Sequence, residues 1–145
     1  MSEVKKDING TLDHVAVVVK DLDAAITIYE DLGLTFSTQR EVVKEQGVTT
    51  AFAEIDQHAH LELLTPFGED GPIHKFLEKR GEGIHHLCFS VTDVQAKTIE
   101  LSDKGYTLIH NEPVIGANNC LVNFIHPKST KGVLIEISQK QEHSK

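Results

Sequence analysis

Two histidines and two glutamates stand out because each sits among apolar neighbours. His14 opens the run HVAVVV and His86 the run HLCFSV, while Glu62 lies inside HLELLTP and Glu136 inside GVLIEIS. Side chains alternate between the two faces of a strand, so His14 shares a face with Ala16 and Val18, and His86 with Cys88 and Ser90. A carboxylate in the middle of an aliphatic segment is costly unless it is paired, protonated or bound to a cation. Imidazole nitrogens and carboxylate oxygens together suit a divalent first-row metal, with open positions filled by water or substrate. A second reading fits the spacing equally well: both glutamates point outward from half-exposed strands, and both histidines are satisfied by hydrogen bonds.

The elements that must position these residues form an internal repeat. LDHVAVVVKDLDAAITIYEDLGLTF aligns with IHHLCFSVTDVQAKTIELSDKGYTL, so that His14 falls on His86, Asp21 on Asp93 and Gly33 on Gly105, each pair 72 positions apart. Each copy opens with a β-branched or apolar run suited to a strand. An aspartate follows that can accept from the free N–H groups of a helix start. The helices carry Leu22, Ile26 and Tyr29 in one copy, and Val94 and Leu101 with Thr98 between them in the other. Each ends at a glycine suited to a left-handed C-terminal position. The second helix is the more polar and is expected to pack less deeply. Further strands are expected at 48–55 and 61–65, and again at 120–125 and 133–138, so each half reads as a strand, a helix and about three strands. A linker helix over about 71–80 starts at Pro72, carries Ile73, Phe76 and Leu77 on one stripe, and stops at Gly81. The expected fold is α+β: a single domain over 1–145 made of two tandem βαβββ modules, about 10–67 and about 83–139.

At 145 residues the chain has one domain's worth of length. Hydrophobic residues at 39%, charged residues at 25% and only 4 prolines exclude the disordered and fibrous classes. The net charge of -8 disfavours a nucleic-acid or anionic-membrane surface, which would need clustered Lys and Arg. A small anionic ligand needs only a local positive spot or a bound cation. No apolar run approaches the roughly 18 residues of a spanning helix, and MSEVKKDING lacks the apolar core of a signal peptide, so a cytoplasmic protein without membrane contact is expected. Cys88 and Cys120 lie in apolar strand-like segments and are expected to be reduced thiols. His58, His60, His74, His110, His126 and His143 fall in loops or helices, where surface exposure is the common fate. His85 aligns with Asp13 and faces the opposite side of its strand from His86, which suits a structural role.

This pattern resembles the vicinal oxygen chelate superfamily, which includes glyoxalase I, ring-cleaving dioxygenases, fosfomycin-resistance proteins and methylmalonyl-CoA epimerases. Its members pair βαβββ modules and carry metal ligands on the first and last strands of each. Within it, the chain is most similar to the methylmalonyl-CoA epimerase family from Leu12 to Gln139. The similarity is carried by EQGV (Glu45 to Val48), LELLTPFGEDGPIHKFLEKRGEGIHHLCF (Leu61 to Phe89), NEPVIGA (Asn111 to Ala117) and FIHPKSTKGVLIEI (Phe124 to Ile137). The HPKS element discriminates, since glyoxalase I usually has an aspartate-proline-aspartate-glycine turn there.

The resemblance implies a curved mixed sheet around one divalent ion per chain, with His14, Glu62, His86 and Glu136 as ligands. The ion is one of Co, Mn, Ni, Zn or Mg. The implied reaction interconverts (2R)- and (2S)-methylmalonyl-CoA by moving the C2 proton through a metal-stabilised enolate, with Glu136 also the first candidate base. The implied partner is an acyl-CoA, and many relatives are homodimers. For the CoA phosphates, HPKSTKG offers Lys128 and Lys131, although a solvated loop accounts for the same lysines. Two departures stand out. Thr50 occupies a place where some epimerases carry a second glutamate base, leaving Glu45 or a water for that face, and Glu62 stands where glutamine is common. A glyoxalase I-type lactoylglutathione lyase, a non-catalytic metal-dependent small-molecule binding protein, and a structural tandem module are the competing readings.

Overall fold

A computed structural model describes residues 8–37 and 40–141. The chain forms two compact units, one continuous from His14 to His85 and the other made of the residues up to Asp13 together with those from His86 onward. His143 and residues 1–7 of the N-terminal stretch read above lie outside the described residues.

The continuous unit begins within β1 (Ile8–Val18) and adds α1 (Leu22–Asp31), β2 (Glu41–Val43), β3 (Val48–Glu54), β4 (His60–Pro66) and α2 (Pro72–Arg80). Its strands lie in the order β2-β3-β4-β1. Neighbours run antiparallel except β4 and β1, which are parallel. A parallel pair needs a crossover connection, and α1 lies in it. Asp21 caps that helix by accepting from the N–H of Ala24 at 3.0 Å. The chain leaves it through Gly33 at φ +108, a value that a β-carbon disfavours. Leu22 and Ala25 of α1 pack with Ala51, Ala53, Leu61 and Leu63 on one side of the sheet. A second cluster gathers Ala16, Val18, Val48 and Leu64 under Ile73, Phe76 and Leu77 of α2. Leu63 and Val18 are fully buried, worth about 1.5–3 kcal/mol each in transfer free energy. The turn between β3 and β4 is held by Asp56, whose carboxylate accepts from the N–H groups of His58 and Ala59, both at 2.8 Å. Those two bonds, Ala59 first, hold its pKa below the ordinary carboxylate range.

The second unit repeats the plan with β5 (Gly83–Val91), α3 (Val94–Asp103), β6 (Val114–Ile115), β7 (Cys120–Ile125) and β8 (Leu134–Lys140). Its strands lie in the order β5-β8-β7-β6, with β5 and β8 parallel and the others antiparallel. Asp93 caps α3 through the N–H of Ala96 at 3.0 Å, and the Gln139 side chain accepts from the N–H of Val94 at 2.8 Å. Gly105, at φ +99, takes the place of Gly33. Lys97 and Lys104 pair with Glu100 on this helix and lower its pKa, Lys97 through the stronger hydrogen bond. The expectation that α3 packs less deeply is corrected: Val94 and Thr98 are 0% and 4% exposed, against 7% for Leu22 and Ala25 of α1. The polar residue does not lift the helix off the sheet, because the Thr98 hydroxyl accepts from the buried Asn123 amide at 3.1 Å.

The repeat of strand, helix and three strands is present in each unit, and α2 runs from Pro72 to the residue before Gly81. Cys88 is a buried thiol and Cys120 a half-buried one, and they are not joined in a disulfide. No helix among the described residues is long and apolar enough to cross a membrane.

Candidate metal centre

In the continuous unit the register places Ala16 of β1 opposite Glu62 of β4, and Glu62 opposite Phe52 of β3. Residues opposite one another in a sheet share a face, and so do residues two apart along a strand. His14, two positions before Ala16, is thereby brought over Glu62: its Nε2 lies 3.2 Å from Glu62 Oε1, with the side chains 12% and 7% exposed. The second unit repeats the arrangement. Cys88 of β5 lies opposite Glu136 of β8, and Glu136 opposite Phe124 of β7. His86, two positions before Cys88, reaches Glu136 Oε1 with its Nε2 at 2.9 Å, the side chains 7% and 11% exposed.

The outward-facing reading of the glutamates is therefore overturned by their burial. A buried carboxylate is held either by a charged or hydrogen-bonding partner or by a cation, and each of these has an imidazole nitrogen turned toward it. The donor chemistry and the spacing fit a divalent ion. Two donors bound at about 2.1 Å and at right angles are about 3.0 Å apart, which is the separation found within each pair. An imidazole nitrogen and a carboxylate oxygen are N/O donors of the kind taken by Zn, Co, Ni or Mn.

Three residues join these rows that the sequence reading did not single out. Phe52 and Phe124 are 72 positions apart, the offset of the repeat, and each is the cross-strand partner of a buried glutamate. The offset could have exposed them, but an aromatic residue in a strand reads as ordinary core. His60 was assigned to a loop or helix and in fact begins β4, opposite His14 and so on its face. Phe52 and His60 also line a cleft of about 840 Å³ in this unit, with Phe36, Glu54 and Gln57.

The remaining histidines divide. His58 is exposed, but His74 Nε2 meets the carbonyl of Gly68 at 2.8 Å, His110 packs against the ring of Phe124, and His126 Nδ1 accepts from the N–H of Lys128 at 3.0 Å. His85 packs edge-on against Phe76, ring centroids 4.9 Å apart, in keeping with a structural role. Lys128 and Lys131 are both exposed, the first in a short 3-10 turn and the second just after it at φ +64. Thr50 is 1% exposed, and its hydroxyl donates to the carbonyl of Glu41 at 3.3 Å, so that position offers no base. The side chain of Glu45 lies outside the described residues.

A model of the Glyoxalase/Bleomycin resistance protein/Dioxygenase superfamily matches residues 13–124. The mitochondrial methylmalonyl-CoA epimerase of Mus musculus is 41% identical over 134 residues, covering 90% of this chain and 73% of the relative. The ethylmalonyl-CoA/methylmalonyl-CoA epimerase of Cereibacter sphaeroides is 40% identical over 133 residues, covering 90% of this chain and 98% of the relative. Among solved structures, methylmalonyl-CoA epimerase from Mycobacterium tuberculosis matches with a TM-score of 0.88 at 36% identity, covering 97% of this chain and 94% of that one.

Proposed function

The chain belongs to the glyoxalase/bleomycin resistance protein/dioxygenase superfamily, and on that premise we propose that it is a metal-dependent epimerase interconverting (2R)- and (2S)-methylmalonyl-CoA. The observation that carries this reading is the buried histidine–glutamate pair repeated in the same register in both units, in a chain about 40% identical to named epimerases. A glyoxalase I-type lyase is not favoured, because the HPKS turn at His126 to Ser129 and the named relatives point the other way.

His14, Glu62, His86 and Glu136 are the proposed ligands of one divalent ion. Bound there, the ion supplies Lewis acidity that stabilises the negative charge developing on the thioester and carboxylate oxygens when C2 loses its proton. Glu136 is assigned the proton on one face of C2. A carboxylate among buried neighbours, within reach of C2, is a group able to take and return that proton. The four side chains are only 7–12% exposed, which limits access of bulk water and strengthens each electrostatic contact. For the other face Thr50 is engaged as a donor within its own hairpin, which leaves Glu45 or a water.

Exchange of the C2 proton of methylmalonyl-CoA with solvent deuterium tests the activity. The expected result is deuterium uptake that scales with enzyme and is abolished by chelation. Exchange no faster than background in protein containing a near-stoichiometric divalent ion overturns the epimerase reading, and protein that takes up no ion overturns the metal assignment.

Lys128 and Lys131 are assigned to the CoA phosphates, as exposed cations on one turn. The double change to alanine is expected to raise KM about tenfold with kcat little altered, an effect that fades with added salt. An unchanged KM at low salt identifies them as solvated loop residues.

A further inference from the structure

We propose that Phe124 is a positioning residue for the imidazole of His86, and that His110 holds Phe124 in that role; the inference rests on the metal-dependent reading above. All of its parts lie in the second unit. Phe124 is the cross-strand partner of Glu136, and its ring meets that of His86 edge to face, centroids 5.8 Å apart at 88°. The same ring meets that of His110 at 6.3 Å and 63°.

His110 is fixed from behind. Asn123, fully buried, accepts from the His110 N–H at 3.2 Å through its side-chain oxygen and donates to the His110 carbonyl at 3.0 Å through its amide nitrogen. The adjacent Ile109 N–H donates to the Phe124 carbonyl at 2.8 Å. A line of contacts thus runs from Thr98 on α3 through Asn123, His110 and Phe124 to the ring of His86.

The line supplies something Glu136 cannot. The contact from Nε2 to the carboxylate fixes where that nitrogen points. An aromatic ring set edge to face against the imidazole acts on its plane, resisting rotation about that direction and keeping water from that side. Phe52 holds the equivalent place beside Glu62 and lines the cleft of the other unit.

Titration of the metal-free protein with Co(II), following its visible absorption band, tests the inference without reference to turnover. Phe124→Leu is expected to weaken Co(II) binding about tenfold and to shift the band, because the ligand field changes when the imidazole turns. Phe124→Tyr, which keeps the ring, should retain the affinity and the band of the unmodified protein. His110→Ala, which removes only the outer ring, should weaken binding about threefold. A Phe124→Leu protein with unchanged affinity and band overturns the proposal, as does equal loss in the leucine and tyrosine variants. Should Phe124→Leu not fold, His110→Ala decides, and unchanged Co(II) binding there overturns it. Failure of the unmodified protein to bind Co(II) is a different result, removing the metal reading and this inference together.

Discussion

Glu136→Gln is expected to lower kcat/KM for epimerisation by about a thousandfold, whereas Glu62→Gln is expected to stay within about tenfold of the unmodified protein. The two glutamates are geometric equivalents, each buried, each opposite a phenylalanine and each facing a histidine Nε2. They differ in the task assigned to them. Glutamine keeps the shape of glutamate and an oxygen for coordination but accepts no proton. At Glu62 the change removes one negative charge from the proposed ligand set, which is expected to weaken metal binding while sharpening Lewis acidity. At Glu136 it removes the proposed base as well. A thousandfold loss corresponds to about 4 kcal/mol in the activation barrier, within the range for deleting a general base. The measurement is initial epimerisation rates alongside metal content per chain, so that loss of the ion and loss of the base are separated. Comparable losses in both variants, with metal retained in both, remove the special role of Glu136. A Glu136→Gln protein within tenfold of the unmodified rate removes its role as base altogether.

Asn123→Ala is expected to destabilise the protein by about 3 kcal/mol, and to lower its melting temperature by roughly 6–12 °C. Asn123 sits with no exposure in the middle of the apolar strand CLVNFI. Its side-chain oxygen accepts from the N–H groups of His110 and Phe124, and its nitrogen donates to Thr98 and to the His110 carbonyl. Truncation strips partners from several of these groups at once and opens a void too small and too apolar to hydrate them well. Leaving a buried polar group unsatisfied costs about 1–3 kcal/mol, and the Thr98 hydroxyl can recover part of this by rotating. Urea unfolding of the metal-free protein, with the slope checked against that of the unmodified chain, gives the difference directly. A loss below about 1 kcal/mol would mean that water replaces the amide, and that the Asn123 clamp on His110 is weaker than its geometry indicates.

Much of the fold was legible because its signals are local. Asp21 and Asp93 precede helical spacing, Gly33 and Gly105 close it, and Pro72 and Gly81 bracket the linker helix; each is a capping or turn preference set within a few residues. The His14 and His86 alignment was legible for a different reason: two copies of one pattern distinguish a recurring polar residue from an accidental one. What the sequence did not expose depends on pairing across long separations. β2 and β6, of 3 and 2 residues, are too short for alternation to show and form only because β3 and β7 offer them an edge. His60 looked like a loop residue because the turn at Asp56 closes earlier than the apolar run suggests. The depth of α3 was misread from composition, since Thr98 counts as polar until Asn123 is known to meet it. The parallel registers that set each histidine over its glutamate lie 46 and 48 residues apart along the chain, and no local periodicity encodes such an offset.

The continuity of one unit and the split of the other set an order of events as the chain is made. Every strand of the unit that ends at His85 has been synthesised once that residue is added, whereas β8 begins 49 residues later, at Leu134. At ordinary rates of translation that is an interval of roughly 2–10 s. Throughout it the nascent chain holds one histidine–glutamate pair of the proposed four ligands, plus a second histidine still waiting for its carboxylate. Two donors hold a divalent ion loosely against water, so with the proposed ligands acquisition of an ion would be deferred until β8 has taken its place beside β5.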